Sequence, residues 1–395
     1  MNILKYHQLL FLICVSLLSL NTQANNEWSG SIGAEWQTFR HESSNAEQSQ
    51  NYYSVVFKPE YVHEWDDGQH QLLFSAFARF NSRNENQTHA DIRELYWSYA
   101  SENWEIRAGI RKVFWGVTES QHLVDIINQT DSVEGIDGEE KLGQPMINFA
   151  YIQDWGTVDF FVLPGFRERN FASEDARLNS SPISDNDNAT YDSSLENKHV
   201  DLAVRYSHNI GDWDFGISHF YGTSRDPRFV VNSGSLSPHY DLIHQTGIDV
   251  QATKESWLWK LESISRSGMN DRYYAATFGI EYSFFDIKES GVDLGIVTEY
   301  LYDDRGDDAT TPFEDDIMVG LRVAMNDTQS TEALLGIIVD NEGDGNILSL
   351  EASRRIGESF KVNLEAGLFF DGDSNDLISA FSNDDYAQLT LSYFY

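Results

Sequence analysis

Connections of two lengths alternate along this chain, and that pattern constrains its fold more tightly than any other feature. Short polar turns occur at Asp66-Asp-Gly68, Ser101-Glu-Asn103, Asp154-Trp-Gly156, Gly211-Asp212, Thr253-Lys-Glu255, Asp286 to Ser290, Asn326 to Ser330 and Gly357-Glu358. Between them lie mostly longer polar stretches, near 41–50, 83–90, 113–145, 164–198, 224–240, 267–271, 303–314, 341–346 and 371–384. Eight turns and nine loops make seventeen connections, which predicts eighteen strands, with sixteen as the runner-up. An even count places both chain ends on the short-turn side, as in transmembrane β-barrels with periplasmic ends. A soluble β-sandwich has no reason to sort its loops by length.

The segments between these connections alternate with period 2, over about 10 residues or more, as membrane-crossing strands require. Trp28, Ile32, Ala34 and Trp36 alternate with Ser29, Ser31, Glu35 and Gln37, while Phe360, Val362, Leu364, Ala366, Leu368 and Phe370 oppose Lys361, Asn363, Glu365 and Gly367. The chain ends on such a segment, Ala387 to Tyr395, with Leu389, Leu391 and Tyr393 expected to face lipid and Gln388, Thr390 and Ser392 the lumen. Trp65, Trp104, Trp155, Trp213 and Trp257 all lie near short turns, where an aromatic girdle meets the interface. The expected fold is therefore all-β, an antiparallel transmembrane barrel.

Residues 1–24 read as a secretory signal peptide: Lys5 gives the positive region, Leu9 to Leu20 a short apolar core, and Thr22-Gln23-Ala24 a small-residue cleavage site. Residues 25–395 then form a single barrel, with the first strand starting so soon after cleavage that no plug domain is expected. The one cysteine, Cys14, leaves with the signal, so no disulfide staples the fold. Cleavage leaves 26 basic against 63 acidic residues, a net charge of −37, which excludes nucleic acid as a partner. No cofactor motif is present.

Eighteen strands enclose a lumen too wide for their own side chains to fill. The third long loop, 113–145, is expected to narrow it: Thr118 or Ser120 would cap a short helix whose face, Leu123, Ile126 and Ile127, packs on the inner wall. Glu119, Asp125, Asp131, Glu134, Asp137, Glu139 and Glu140 would then line a constriction. On the wall, Arg79, Arg107, Arg111 and Arg205 are basic candidates among mixed charges that include Lys260, Arg322, Glu262 and Glu299. Opposed charges at a constriction create a transverse field that orders polar solutes.

An inward third loop resembles that of general and substrate-specific Gram-negative porins. The run Arg107 to Gly116, with Trp115-Gly116 followed by Asp125-Ile-Ile-Asn128 and Asp131, is also similar to a poorly characterised porin-like family in which Trp-Gly leads into Ile-Asn-Pro-x-Asp. Here Gln129 stands where that proline would be, and the match covers roughly 45 of 371 residues. The resemblance implies an outer-membrane location, anionic lipopolysaccharide as surroundings, and recognition of the aromatic C-terminus by barrel-assembly machinery.

The run Asp340-Asn-Glu-Gly-Asp-Gly345 with Glu351 has the spacing of an EF-hand calcium loop. It joins two strands rather than two helices, so a tight acidic hairpin tip is the better reading, with Asp340, Glu342 and Asp344 left as weak Ca²⁺ candidates.

Three functions compete. A channel for small hydrophilic solutes explains the strand number, missing plug and long third loop, and its acidic loop favours neutral or cationic solutes such as sugars. A surface adhesin or structural barrel would use the 164–198 loop, with Phe166, Phe171 and Tyr191 as anchors. A barrel hydrolase would need more than the lone loop histidine His122, and no nucleophile constellation accompanies it.

Overall fold

The computed structural model describes residues 25–395 except 44, 180–187, 233–234, 342–344 and 371–377; the signal peptide, Glu342 and Asp344 lie outside the described residues. Period-2 alternation folds into strands β1 (Asn25–Phe39), β2 (Asn51–Trp65), β3 (His70–Asn81), β4 (His89–Ala100), β5 (Trp104–Arg111), β6 (Gln144–Gln153) and β7 (Gly156–Pro164). After β8 (Thr190–Tyr191) come β9 (Val200–Ile210), β10 (Trp213–Thr223), β11 (Arg228–Asn232) and β12 (Ser235–Tyr240). The rest are β13 (Leu242–Lys254), β14 (Trp257–Gly268), β15 (Asn270–Phe284), β16 (Asp293–Asp303), β17 (Asp315–Ala324), β18 (Glu332–Asp340), β19 (Asn346–Ile356), β20 (Phe360–Phe370) and β21 (Tyr386–Phe394).

Eighteen of these form one antiparallel sheet that closes on itself when β1 pairs with β21, Ile32 opposite Tyr393 and Trp36 opposite Leu389. Closure satisfies every strand edge, which a sheet immersed in hydrocarbon requires. All eight expected short turns join neighbouring strands at the end where both termini sit. The stretch 267–271, expected as a loop, is instead a one-residue link through Met269. Gly268 (φ +115°) and Asn270 (φ +59°) take the left-handed backbone that lets the chain reverse so tightly.

The barrel's exterior is apolar. Ile32, Val55, Phe57, Ile217, Ile248, Ile317, Val319, Leu321, Leu335, Leu389 and Leu391 are all exposed. No folded core covers them, so they form the apolar belt that contacts hydrocarbon in such barrels. Toward the short turns, rings touch from strand to strand: Trp28 on Tyr61, Trp65 on His70, Tyr99 on Trp104, Trp257 on Tyr282, and Phe360 on Tyr393, with centroids 4.6–5.2 Å apart. This is the girdle expected from the tryptophan positions.

The remaining three strands make a small sheet on the loop side, where the β11–β12 hairpin of the fifth loop accepts β8 of the fourth loop in parallel. The fourth loop then crosses the mouth. Arg177, almost fully buried, donates to Asp384 (2.6 Å) and to the carbonyls of His41 and Asn383, all on the far side of the barrel.

Candidate functional site

The third loop leaves β5, crosses the lumen and fastens to the opposite wall. Two strand carboxylates, each with no exposed surface, receive it. Glu262 on β14 accepts the backbone N–H groups of Val117 (2.7 Å), Thr118 (3.1 Å) and Val124 (3.1 Å) and the Thr118 hydroxyl (2.7 Å). Glu299 on β16 accepts the N–H groups of Glu119 and Ser120, both at 2.8 Å. The expected helix is absent: no helix forms over 113–143. The Val124 N–H, which that helix would tie to its own preceding turn, goes to Glu262 instead, while the amides of residues 117–120, which a helix start leaves without internal partners, are satisfied by the wall.

The expected apolar face survives that change. Leu123, Val124, Ile126 and Ile127 are buried with Trp115 against Phe161, Phe220, Ile243 and Ile264 of the inner wall. Two further wires hold the loop from its carbonyl side. Gln245 of β13 donates to Leu123 (3.3 Å), and Arg225, buried just after β10, donates to the Ile127 carbonyl through Nε (3.1 Å) and Nη2 (2.9 Å). Arg225 is in turn paired with the fully buried Asp201 at 2.6 Å, and a Cβ on Gly222 would sit 2.2 Å from that carboxyl, so only glycine fits there. The loop's neck is closed by Asn128, which accepts the Val113 N–H and donates to the carbonyls of Arg111 and Leu142, each at 2.8 Å.

The seven loop acids divide by what they meet. Glu119 reaches Arg322 of β17 (2.7 Å) and Lys260 of β14 (3.5 Å). Asp125 is buried beside Lys141 at 3.3 Å, and burial lifts its pKa above the ordinary carboxyl value. Asp131 is buried against Arg93 (2.6 Å). Glu134 meets Arg79 and His89; burial alone would raise its carboxyl, but those two donors overrule it and hold it low. Asp137 and Glu139 are exposed, and Glu140 lies 3.8 Å from Lys58 of β2.

Glu139 also pairs with His122 at 2.9 Å, which lowers its own pKa. Burial disfavours the charged imidazole, yet Glu139 and Glu262 (3.9 Å) outweigh it, so His122 is raised to about 10 and stays protonated at neutral pH. An imidazolium held charged at neutral pH between two carboxylates is a bracket rather than a base.

Of the four wall arginines singled out in the sequence, Arg79 bridges Glu134 of the loop and Glu35 of β1. Arg107 pairs with Glu105 and donates to Asn148; Arg111 also donates to Asn148. Both therefore serve the wall beneath the loop. Arg205 pairs with Asp249 at 2.7 Å and lies over the Trp115 ring. Of the calcium candidates only Asp340 lies among the described residues, at the end of β18 opposite Asp316; Glu351, at the twelfth position of that run, lies down the wall opposite Glu365.

Three partners escaped sequence reading. Arg93 is the extra residue of a β-bulge: Ser75 faces Glu94 and Ala76 faces Ile92, so Arg93 turns inward against the strand's alternation. Arg225 and Arg169 lie in loops, where alternation gives no direction.

Asp137 and Glu139 lie on the side of the loop toward β19 and β20, near enough to Glu351 and Glu365 to act on them electrostatically, and Glu140 reaches toward Lys58 of β2. An eighteen-stranded barrel with an apolar belt, a polar inner wall and a loop bound across its lumen has the porin-type fold.

No protein-family model and no curated protein sequence matches this chain, so the narrower resemblance carried by Trp115-Gly116 and Asp131 has no family match behind it. Solved structures do match. OccK3 (OpdO) of Pseudomonas aeruginosa aligns with a TM-score of 0.55 at 11% identity, over 94% of this chain and 96% of its own. A BenF-like porin from Pseudomonas fluorescens Pf-5 aligns with a TM-score of 0.55 at 10% identity, over 94% of this chain and 98% of its own. At such identity the similarity is one of fold.

Proposed function

We propose that this protein is an outer-membrane channel of a Gram-negative bacterium through which small hydrophilic solutes diffuse. The observation that carries this reading is the third loop bound to the far wall through Glu262 and Glu299: a loop tethered across a lumen too wide for its own side chains to fill supports a size-limiting passage. On this reading Glu119, Asp137, Glu139 and Glu140 set the charge of the passage, which prefers cations and neutral polar molecules, sugars among them. Its surroundings are outer-membrane lipid and lipopolysaccharide, and the tail ending at Tyr395 is the handle for barrel-assembly machinery.

The surface-binding alternative is weakened by where the fourth loop's aromatics go. Phe166 packs edge-on against Tyr240, Tyr191 stacks on the same ring, and Phe171 meets Phe229, so the supposed anchors hold loop to loop. His122, the one base a hydrolase reading would use, is held charged. Reconstitution into planar bilayers tests the channel: stepwise ion currents are expected, and folded protein that gives none would refute it. Liposome swelling with sugars, amino acids and organic acids would then rank the solutes.

A further inference from the structure

The small sheet outside the barrel brings together three metal-ligating side chains from two different loops. Asp192 follows β8 in the fourth loop; His239 and Asp241 end the β11–β12 hairpin of the fifth. One ligand atom from each lies within 4.8 Å of the other two. His239 Nε2 stands 3.3 Å from Asp192 Oδ1 and 3.6 Å from Asp241 Oδ1.

Those separations suit a shared cation better than a chain of hydrogen bonds. An ion about 2.1 Å from each donor would see angles of about 105° and about 120° across the two pairs, close to tetrahedral. Each donor is also steadied by an outer partner, the arrangement that orients metal ligands. The Thr190 hydroxyl lies 2.8 Å from His239 Nδ1, and Asp192 Oδ2 accepts the Leu242 N–H at 3.2 Å. Arg228 clasps both oxygens of Asp241, Nε on Oδ2 at 2.7 Å and Nη2 on Oδ1 at 2.5 Å, so an incoming ion shares Oδ1 with Nη2 or displaces it. The environment is graded from the nearly buried Asp241 to the half-exposed Asp192, which leaves an open side for a water as fourth ligand.

We infer that Asp192, His239 and Asp241 form a divalent metal site, selective for borderline ions of the Zn²⁺ class, that clasps the fourth loop to the fifth. One imidazole and two carboxylates at this spacing match Zn²⁺ and its Co²⁺ surrogate. Ca²⁺ demands six to eight oxygens at longer bonds, which three donors including a nitrogen do not supply. The clasp sits beside Tyr240, whose hydroxyl accepts the Arg169 N–H (3.0 Å), and Arg169 donates onward to Gln129 of the third loop (3.2 Å). A bound ion therefore braces the outer support of the loop that crosses the lumen. The assignment is independent of what the barrel conducts.

The test is titration of the refolded, tag-free chain in detergent with Co²⁺, followed by its visible absorption, and with Zn²⁺ by calorimetry. One saturable site per barrel with tetrahedral Co²⁺ absorption is expected. His239→Ala removes it, and Arg228→Met, which keeps all three ligands and clears the guanidinium from Asp241 Oδ1, tightens it several-fold. Folding of each variant is checked by the heat-dependent mobility of the barrel on a denaturing gel; if His239→Ala fails to fold, His239→Gln takes its place. The inference is overturned if wild type shows no saturable binding, if the His239 variant binds as tightly as wild type, or if millimolar Ca²⁺ displaces the ion. The second result would place the metal on the other acidic loops; no binding at all would leave His239 as a charged partner of the two carboxylates.

Discussion

Glu299 holds Ser120 by a single carboxylate oxygen, which accepts both its backbone N–H at 2.8 Å and its hydroxyl at 2.6 Å. Together with Glu262 this tethers the polar tip of a loop whose apolar face, Leu123 to Ile127, is packed on the inner wall. Packing holds that face, and directional bonds to two buried carboxylates hold the stretch 117–120 beside it. Replacing either acid with glutamine turns one acceptor oxygen into a donor that faces other donors. Each buried N–H left unsatisfied costs about 1–3 kcal/mol, enough to detach a loop while the barrel ladder remains. Glu262→Gln with Glu299→Gln should still give a folded, heat-modifiable barrel, but with larger and noisier single-channel conductance. Unchanged conductance in that double variant would show that the loop does not limit the passage.

Charge at the passage gives a second expectation. Glu119 is shared by Arg322 and Lys260, and Glu139 pairs with His122, whereas Asp137 is exposed and has no salt bridge among the described residues. Asp137, not Glu119, should govern ion preference, because paired charges cancel at a distance. Asp137→Asn should move the reversal potential in a KCl gradient toward zero, and Glu119→Gln should move it less. Equal shifts would mean that the Glu119 pairs are open in the conducting state.

The bracket around His122 makes loop closure depend on pH, with a definite sign. Its folded pKa is raised to about 10, above an unfolded value of about 6.5. A raised folded pKa contributes stability that is fully present below about 6.5 and is lost as pH rises through about 10. Current fluctuations should therefore grow between pH 8 and pH 10 in wild type, and His122→Gln should be noisy and nearly flat over the same range. If wild type is equally quiet at both pH values, His122 does not fasten the loop.

Much of this architecture is legible in the sequence, because a closed barrel exposes one face to lipid and the other to water and so writes period 2 into every strand. Turn lengths likewise follow from which end must be threaded through the membrane. Legibility fails where neither rule acts. Arg93 points inward only because a bulge shifts the alternation, and the 267–271 reversal needs a single residue because Gly268 and Asn270 carry the unusual backbone. The third loop was readable as inward from Leu123, Ile126 and Ile127, but its helix was not real. Local periodicity cannot know that Glu262, 138 positions downstream, will claim the Val124 amide.

The inside–outside assignment of β21 is open to a direct test on adjacent residues. Leu389 is exposed on the barrel's exterior and stands opposite Trp36 of β1, itself exposed. Thr390, one position on, is half-buried and stands opposite Glu35, which is ion-paired with Arg79 two strands along the inner wall. An arginine on the lipid face must carry its charge into hydrocarbon, at about 2–4 kcal/mol near the midplane, falling toward the rims. The same side chain on the lumen face finds water and the Glu35 carboxylate. Leu389→Arg should cut the yield of heat-modifiable barrel in lipid vesicles and lower its unfolding free energy by that amount. Thr390→Arg should fold normally and shift the reversal potential toward anions. If both variants fold equally well, the strand faces water on each side, and the membrane assignment of this barrel fails with it.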